Sequence, residues 1–233
     1  MSIKSKNKIR LFVNAVLEPS SRITLPEEAS HYLCNVMRLG AGEVIACFNN
    51  AAGEFDCRIE KAHKKQTEVL VLQQNRKYIP VPDIWVLFAP VKKDKTDFIV
   101  EKSVELGCRL LQPVITERTV VDKIRGERYQ AQAVEAAEQC RRVDLPEIAP
   151  AAPLAEILAH WDCGRTLFFM DETGTGISAV RAFDERKGCP AALLVGPEGG
   201  FSPSELELLR SLPYARAVSL GPRILRAETA VAA

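Results

Sequence analysis

A chain of 233 residues, 47% of them hydrophobic, has material for one large domain or two modest ones and can fill a core, which excludes disordered and fibrous classes. No run approaches the roughly 20 apolar residues that span a bilayer, and the basic start MSIKSKNKIR lacks the apolar centre of a signal peptide, so a cytoplasmic protein is expected. Charge is balanced at 31 basic against 30 acidic residues, but residues 1–80 carry +4, 81–130 carry +1 and 131–233 carry −4, and a basic front end suits a polyanionic partner. In chain order, residues 9–16, 44–48, 54–59 and 67–72 read as strands, with Phe55, Cys57 and Ile59 on one face of the third. Asn49, Asn50 and Gly53 form a hairpin turn, since Asn and Gly tolerate positive φ. Residues 27–38 read as a helix with Tyr32, Leu33, Val36 and Met37 on its apolar side, ended by Gly40. Short strands separated by turns predict a small barrel, and the paired prolines of Ile79-Pro80-Val81-Pro82 a linker, giving domains at 1–79 and 83–233.

In the second domain a buried strand at 84–89, a helix at 96–106 closed by Gly107 and a strand at 111–115 make a βαβ unit, which implies a parallel sheet. A helix over 127–142 follows, then the buried strand TLFFM at 166–170 with a loop carrying Asp171, Glu172, Gly174, Thr175 and Gly176. Residues 191–195 form a strand that breaks into Gly196, Pro197, Glu198, Gly199 and Gly200. Ser202 and Glu205 then make a capping box with Pro203 at the first helical position, and Leu206, Leu208 and Leu209 line that helix. Residues 217–220 repeat the pattern, Gly221-Pro222 breaks it, and an Ala-rich helix is expected over 223–233. Such loops at strand ends are where open α/β sheets bind ligands, while G-x-G-x-x-G and phosphate-loop fingerprints are absent. Seven cysteines without a C-x-x-C pair and three histidines without H-x-x-x-H spacing point to free thiols and no metal centre.

GPEGGFS followed within thirty residues by LGPRILRAETA resembles the closing motifs of the RsmE family, ribosomal RNA uridine-N3 methyltransferases of the SPOUT superfamily. HYLCNVMRLGAGEVIACF with GEFDCRIE is similar to that family's N-terminal domain, and VKKDKTDFIVEKSVELGCRLLQPVITERTV to its middle motif, with Lys102, Glu105, Leu106, Gly107, Pro113, Glu117 and Arg118 at matching positions. AAEQCRRVDLPEI keeps Glu138, Gln139 and Arg142 of the family's Glu-Gln-x-Gly-Arg, but Arg141 stands in the Gly position and puts that turn in question. The resemblance implies an α/β fold: a C-terminal SPOUT-type parallel sheet with a trefoil knot, plus a small N-terminal PUA-like or OB-like β-barrel that docks RNA. It also implies that the last helix runs on beyond residue 233.

On this reading S-adenosylmethionine is the cofactor, held by Met170, Gly196, Pro197, Glu198, Gly199, Gly200, Leu220, Gly221, Ile224, Leu225 and Thr229. The substrate is a uridine of 16S rRNA in the small ribosomal subunit. Methylating N3 requires loss of a weakly acidic ring N–H, and a cation near the base stabilises the resulting anion. Arg226 is the first candidate and Arg223 the second, with Glu228 accepting the proton or orienting Arg226, and Glu198 orienting the loops. The alternative is that these arginines pair with Glu198 and Glu228 and that Thr229 caps the last helix. Candidate RNA contacts are Arg10, Arg22, Arg38, Lys93, Lys95, Arg118 and Arg142, joined by Lys61, Lys64 and Lys65 and by Lys4, Lys6 and Lys8 in the tail. A homodimer is implied, with an exposed Ala/Val run at residues 230–233. Competing readings are a non-catalytic RNA-binding or ribosome-assembly factor and a SPOUT ribose 2′-O methyltransferase.

Overall fold

The structure, a computed structural model, describes residues 9–120 and 124–233 apart from the side chain of Lys93; the expected contacts at Lys4, Lys6, Lys8 and the Lys93 side chain lie outside the described residues. The chain forms two compact units, one running to Pro80 and including Ala137–Leu145, the other Val81–Ala136 with Pro146–Ala233. The segment 137–145, inside the range read from sequence as the second domain, folds with the first unit.

The first unit holds β1 (Arg10–Phe12), β2 (Arg22–Thr24), α1 (Glu27–His31), β3 (Val44–Asn49), β4 (Gly53–Lys61) and β5 (Glu68–Arg76), in one sheet ordered β1-β3-β4-β5-β2. β1 pairs with β3 in parallel and the other neighbours are antiparallel. Leu11, Ile23, Ile45, Cys57 and Val71, one from each strand, meet in a single buried cluster, so the sheet curls around its own core. The Asn49–Gly53 turn forms as expected. The Asn49 Oδ1 accepts from the backbone of Ala51 and Ala52 at 3.1 and 2.8 Å, and Gly53 takes φ 81° where an added Cβ would fall 2.6 Å from the Tyr78 nitrogen.

The helix expected over 27–38 is shorter and its apolar face differs. After α1 the chain widens into a π-turn over Tyr32–Val36, where Met37 N–H reaches back five residues to the Tyr32 carbonyl at 2.9 Å, and Arg38 leaves it at φ 56°. The wider turn buries Leu33 and Ser30 and leaves Tyr32, Val36 and Met37 exposed. Ser30 is kept inside by accepting from Thr67 N–H at 2.8 Å.

The second unit carries β6 (Ile84–Phe88), α2 (Lys93–Glu105), β7 (Leu110–Ile115), α3 (Gly126–Cys140, whose last turn belongs to the first unit), β8 (Glu147–Ile148), β9 (Ala152–Pro153) and α4 (Leu154–Ala159). It continues with β10 (Thr166–Met170), β11 (Ile177–Ser178), α5 (Ala179–Asp184), β12 (Ala191–Val195), α6 (Pro203–Ser211), β13 (Ala215–Ser219) and α7 (Ala227–Ala232). Its sheet runs β11-β13-β10-β12-β6-β7-β8 with parallel pairing throughout. TLFFM explains why β10 is central. Successive side chains leave a strand on opposite faces, and here Leu167 and Phe169 join one buried cluster while Phe168 joins another. The chain crosses from β12 over β10 to β13, then returns to set α7 against α2 and β12. The chain end therefore comes back past β12, a strand already passed, on the parallel sheet.

α6 begins on the predicted capping box: Ser202 accepts from Glu205 N–H at 3.2 Å and its own N–H donates to Glu205 Oε2 at 2.8 Å. Glu205 Oε1 also accepts from Glu117 N–H at 2.9 Å, so the box ties the loop after β7 to this helix. Ser202→Ala is expected to lower unfolding stability by about 1 kcal/mol, read in urea melts as a shifted midpoint with an unchanged slope. Among the described residues no helix is long and apolar enough to cross a membrane, and no group of three or more His, Cys, Asp or Glu is placed to hold a metal ion.

Candidate functional site

Parallel strands deliver their following loops to one end of a sheet, and β10, β12 and β13 are adjacent, so the loops 171–176, 196–202 and 220–226 meet there. They enclose a cavity of about 360 Å³. Of the expected cofactor residues, Met170, Gly196, Pro197, Glu198, Gly200, Leu220, Gly221, Ile224 and Leu225 line it, and so do Arg223 and Arg226. The walls also include Asp171, Glu172, Val195, Phe201 and Val218, which sequence reasoning did not single out as contacts. Phe201 packs beneath the loop, and a Cβ at Gly196 would fall 3.1 Å from its ring.

Three expected site residues stand elsewhere. Gly199 does not line the cavity; its carbonyl accepts from Arg118 Nη1 at 2.7 Å, which fixes the outer side of the loop. Thr229 is exposed and off the cavity, and it does not cap α7, whose N-cap is Arg226. Glu228 is also off the lining, with a buried Oε2 that makes no hydrogen bond. The expected helix over 223–233 starts only at Ala227, which leaves residues 223–226 as extended loop facing the cavity; Ile224 is 82% exposed there. Among the described residues neither Arg223 nor Arg226 forms an ion pair, so the alternative pairing with Glu198 and Glu228 is not the arrangement found. Glu198 instead meets Lys95 Nζ at 3.1 Å. The expected exposed run at 230–233 is also corrected: Ala230 and Val231 are buried because α7 packs on α2 and β12.

The first loop is held by a network absent from the sequence reading. The Asp171 side chain is fully buried and accepts from Thr173 N–H at 2.9 Å, Thr173 Oγ1 at 2.7 Å, Thr175 Oγ1 at 2.8 Å and Arg210 Nη2 at 2.9 Å. Burial alone pushes this carboxyl up; the bonds from Thr173, Arg210 and Thr175 outweigh it and hold it at about 2. The folded value lies below the ordinary one of about 4, so the network's contribution of about 2 kcal/mol is present above pH 4 and lost as pH falls through 2. Asp171→Asn is expected to lower stability by about 2 kcal/mol at pH 7, and the gap between wild type and variant, followed by thermal melts, should close between pH 4 and 2. The signal was present in D-x-T-x-T after a strand, an Asx-type turn; Arg210, 39 residues on, had none.

The expected RNA contacts separate into two groups. Arg10 and Arg142 are not available to a polyanion, their side chains being 8% and 6% exposed. Arg10 pairs with Glu54 at 2.6 Å and Arg142 with Asp144 at 2.8 Å. Arg22 is exposed and paired with Glu60 at 2.7 Å, Arg38 is exposed, and Lys95 and Arg118 are bound to the second cavity loop as described above.

Residues 77–233 match the RNA methyltransferase domain family and residues 25–72 the RNA methyltransferase PUA domain. Ribosomal RNA small subunit methyltransferase E of Rickettsia conorii is 30% identical over 222 residues, covering 95% of this chain and 91% of that protein. The chain belongs to the ribosomal RNA small subunit methyltransferase E family. Its likeness to solved members spans the whole fold. The methyltransferase E of Neisseria gonorrhoeae, bound to S-adenosyl methionine, gives a TM-score of 0.88 at 27% identity, covering 97% of this chain and 94% of that one. A putative methyltransferase of Legionella pneumophila, in complex with the bound cofactor SAM, gives 0.84 at 30% identity with the same coverage. Within the methyltransferase E family frame, the position of Arg141 is informative. It takes φ 64°, so the turn expected of a Gly is kept although an Arg occupies it.

Proposed function

We propose that this chain transfers the methyl group of S-adenosylmethionine to N3 of one uridine in the 16S rRNA of the small ribosomal subunit, acting in the cytoplasm as a homodimer. The observation that carries this reading is the cavity closed by three loops at the carboxyl ends of β10, β12 and β13 in a methyltransferase E family member. The residues fit the cofactor. The cavity falls within the roughly 300–1,000 Å³ of small-molecule sites, with apolar walls and a few convergent polar groups. Met170, Val195, Phe201 and Leu225 offer apolar surface, and the backbone of Gly196 and Leu220 offers N–H and C=O groups to a heterocycle edge.

When bound, S-adenosylmethionine supplies a methyl group made electrophilic by its sulfonium. The chain's own work is positioning and charge. Holding donor and acceptor in line supplies roughly 7–11 kcal/mol of the barrier in well-oriented reactions. Arg226 presents unpaired guanidinium charge to the cavity, where it stabilises the uracil anion formed as N3 gives its proton to solvent water. Glu228 lies off the cavity wall, so its proposed part is confined to placing Arg226 through the first turn of α7.

The test is methyl transfer from labelled S-adenosylmethionine to small subunits that lack the modification, followed by nucleoside digestion. Labelled 3-methyluridine is expected. A 2′-O-methyl nucleoside would replace base with ribose chemistry, and unlabelled subunits would remove the substrate assignment. Sedimentation at twice the 25.8 kDa chain mass is the expected result for the dimer.

A further inference from the structure

Among the carboxylates that line the cavity, one has no partner among the described residues. Of its three carboxylates, Asp171 is bound to Arg210 and two threonines, and Glu198 to Lys95. Glu172 lines the cavity between the first and second loops and, among the described residues, makes no hydrogen bond and no ion pair. Its carboxylate lies over the backbone of Gly200, whose missing Cβ leaves the room it occupies. Because Gly200 takes φ 68°, the second loop turns there so that this space stays open on the cavity side.

Resting on the proposed function above, we propose that Glu172 binds the α-ammonium group at the amino-acid end of the cofactor. A zwitterionic amino-acid tail requires one anion and one cation from its site. Arg223 provides an unpaired cation, Arg226 being left for the uracil, and Glu172 provides the unpaired anion. Its exposure sets it at the cavity mouth, where a hydrated tail sits, rather than against the apolar wall made by Val195 and Phe201. An unpaired carboxylate in a cleft attracts a ligand cation more strongly than the same group paired in advance.

The experiment is titration calorimetry of wild type, Glu172→Gln and Glu172→Asp with two probes: S-adenosylhomocysteine, which keeps the ammonium, and 5′-methylthioadenosine, which lacks the amino-acid tail. Glu172→Gln is expected to weaken S-adenosylhomocysteine about tenfold and to leave 5′-methylthioadenosine within about twofold, while Glu172→Asp stays near wild type for both. Equal weakening of both probes would assign Glu172 to loop structure or to the nucleoside and overturn the proposal. Unchanged binding of both with collapsed turnover would make Glu172 a proton acceptor instead, and equally overturn it. Wild-type protein that binds neither probe would bring down the cofactor reading itself, a result distinct from either.

Discussion

Arg226→Ala is expected to cut kcat for methyl transfer by about 10²–10³-fold while leaving S-adenosylmethionine affinity within about threefold. The reasoning starts from where Arg226 stands. It is the N-cap of α7 through its backbone, accepting from Ala230 N–H at 2.8 Å, and that bond survives the substitution. Its side chain is exposed, lines the cavity and has no ion-pair partner among the described residues, so truncation removes charge without orphaning a buried group. A stabiliser of developing anionic charge acts on the transition state and leaves ground-state binding nearly untouched. Single-turnover rates with enzyme in excess, beside calorimetric affinity, separate the two. Arg226→Lys should recover part of the rate, since a point charge replaces a planar one. Loss of affinity with normal single-turnover chemistry would assign Arg226 to cofactor binding and contradict the role.

Arg10→Ala is the substitution with the largest expected cost in stability, about 3–5 kcal/mol. Arg10 Nε meets Glu54 at 2.6 Å, Nη1 donates to the Ala137 and Glu138 carbonyls at 2.6 and 2.8 Å, and Nη2 to Arg142 O at 2.6 Å. Three of these acceptors are carbonyls at the end of α3 and just beyond it, where cationic donors offset both the unsatisfied groups and the helix dipole. The guanidinium also lies 4.4 Å from the centre of the Phe48 ring. Removing it takes a charged donor from three half-buried carbonyls and leaves Glu54 with Arg76 alone. Burial pushes the Glu54 carboxyl up, yet the bonds from Arg76 and Arg10 more than reverse this, so the network's contribution is present at neutral pH and lost as pH falls below the usual carboxylate range. Denaturant melts at pH 7 give the magnitude. A phosphate-contacting Arg10 would behave oppositely, folding as wild type and losing about one unit of the salt slope of RNA binding.

These two arginines show what was legible in the chain and what was not. The strands, the Asn49–Gly53 turn, the capping box at Ser202 and Glu205 and the glycine loops after β12 and β13 were readable, because each rests on contacts within a few residues. The cavity was readable for the same reason, since parallel strands carry their loops to one end. Arg10 was misread as an RNA contact because a basic residue near a basic terminus is exposed in most chains, and its acceptors lie 44 to 132 residues away. The attachment of 137–145 to the first unit depends on those same bonds and on Asn50, whose Oδ1 accepts from Leu145 N–H at 2.7 Å. A linear boundary at paired prolines has no means of showing it. Similarly, the π-turn after α1 rotated the apolar face by a fraction of a turn that a 3.6-residue pattern does not encode, and Tyr32, Val36 and Met37 ended outside. At the site, Arg210 reaches Asp171 from 39 residues away, beyond any local pattern, while Phe201, close in sequence to the Gly196 it packs against, belongs to no motif that marks a wall residue.

The most direct measurement is a crystal structure of the protein grown with S-adenosylhomocysteine. The account predicts the ligand between Met170, the 196–201 loop and the 220–226 loop, with its heterocycle against backbone and its tail toward Glu172 and Arg223. Ligand density elsewhere on the chain, or a cavity whose loops close on themselves without it at saturating concentration, would contradict the claim that these three loops form the methyl-donor site.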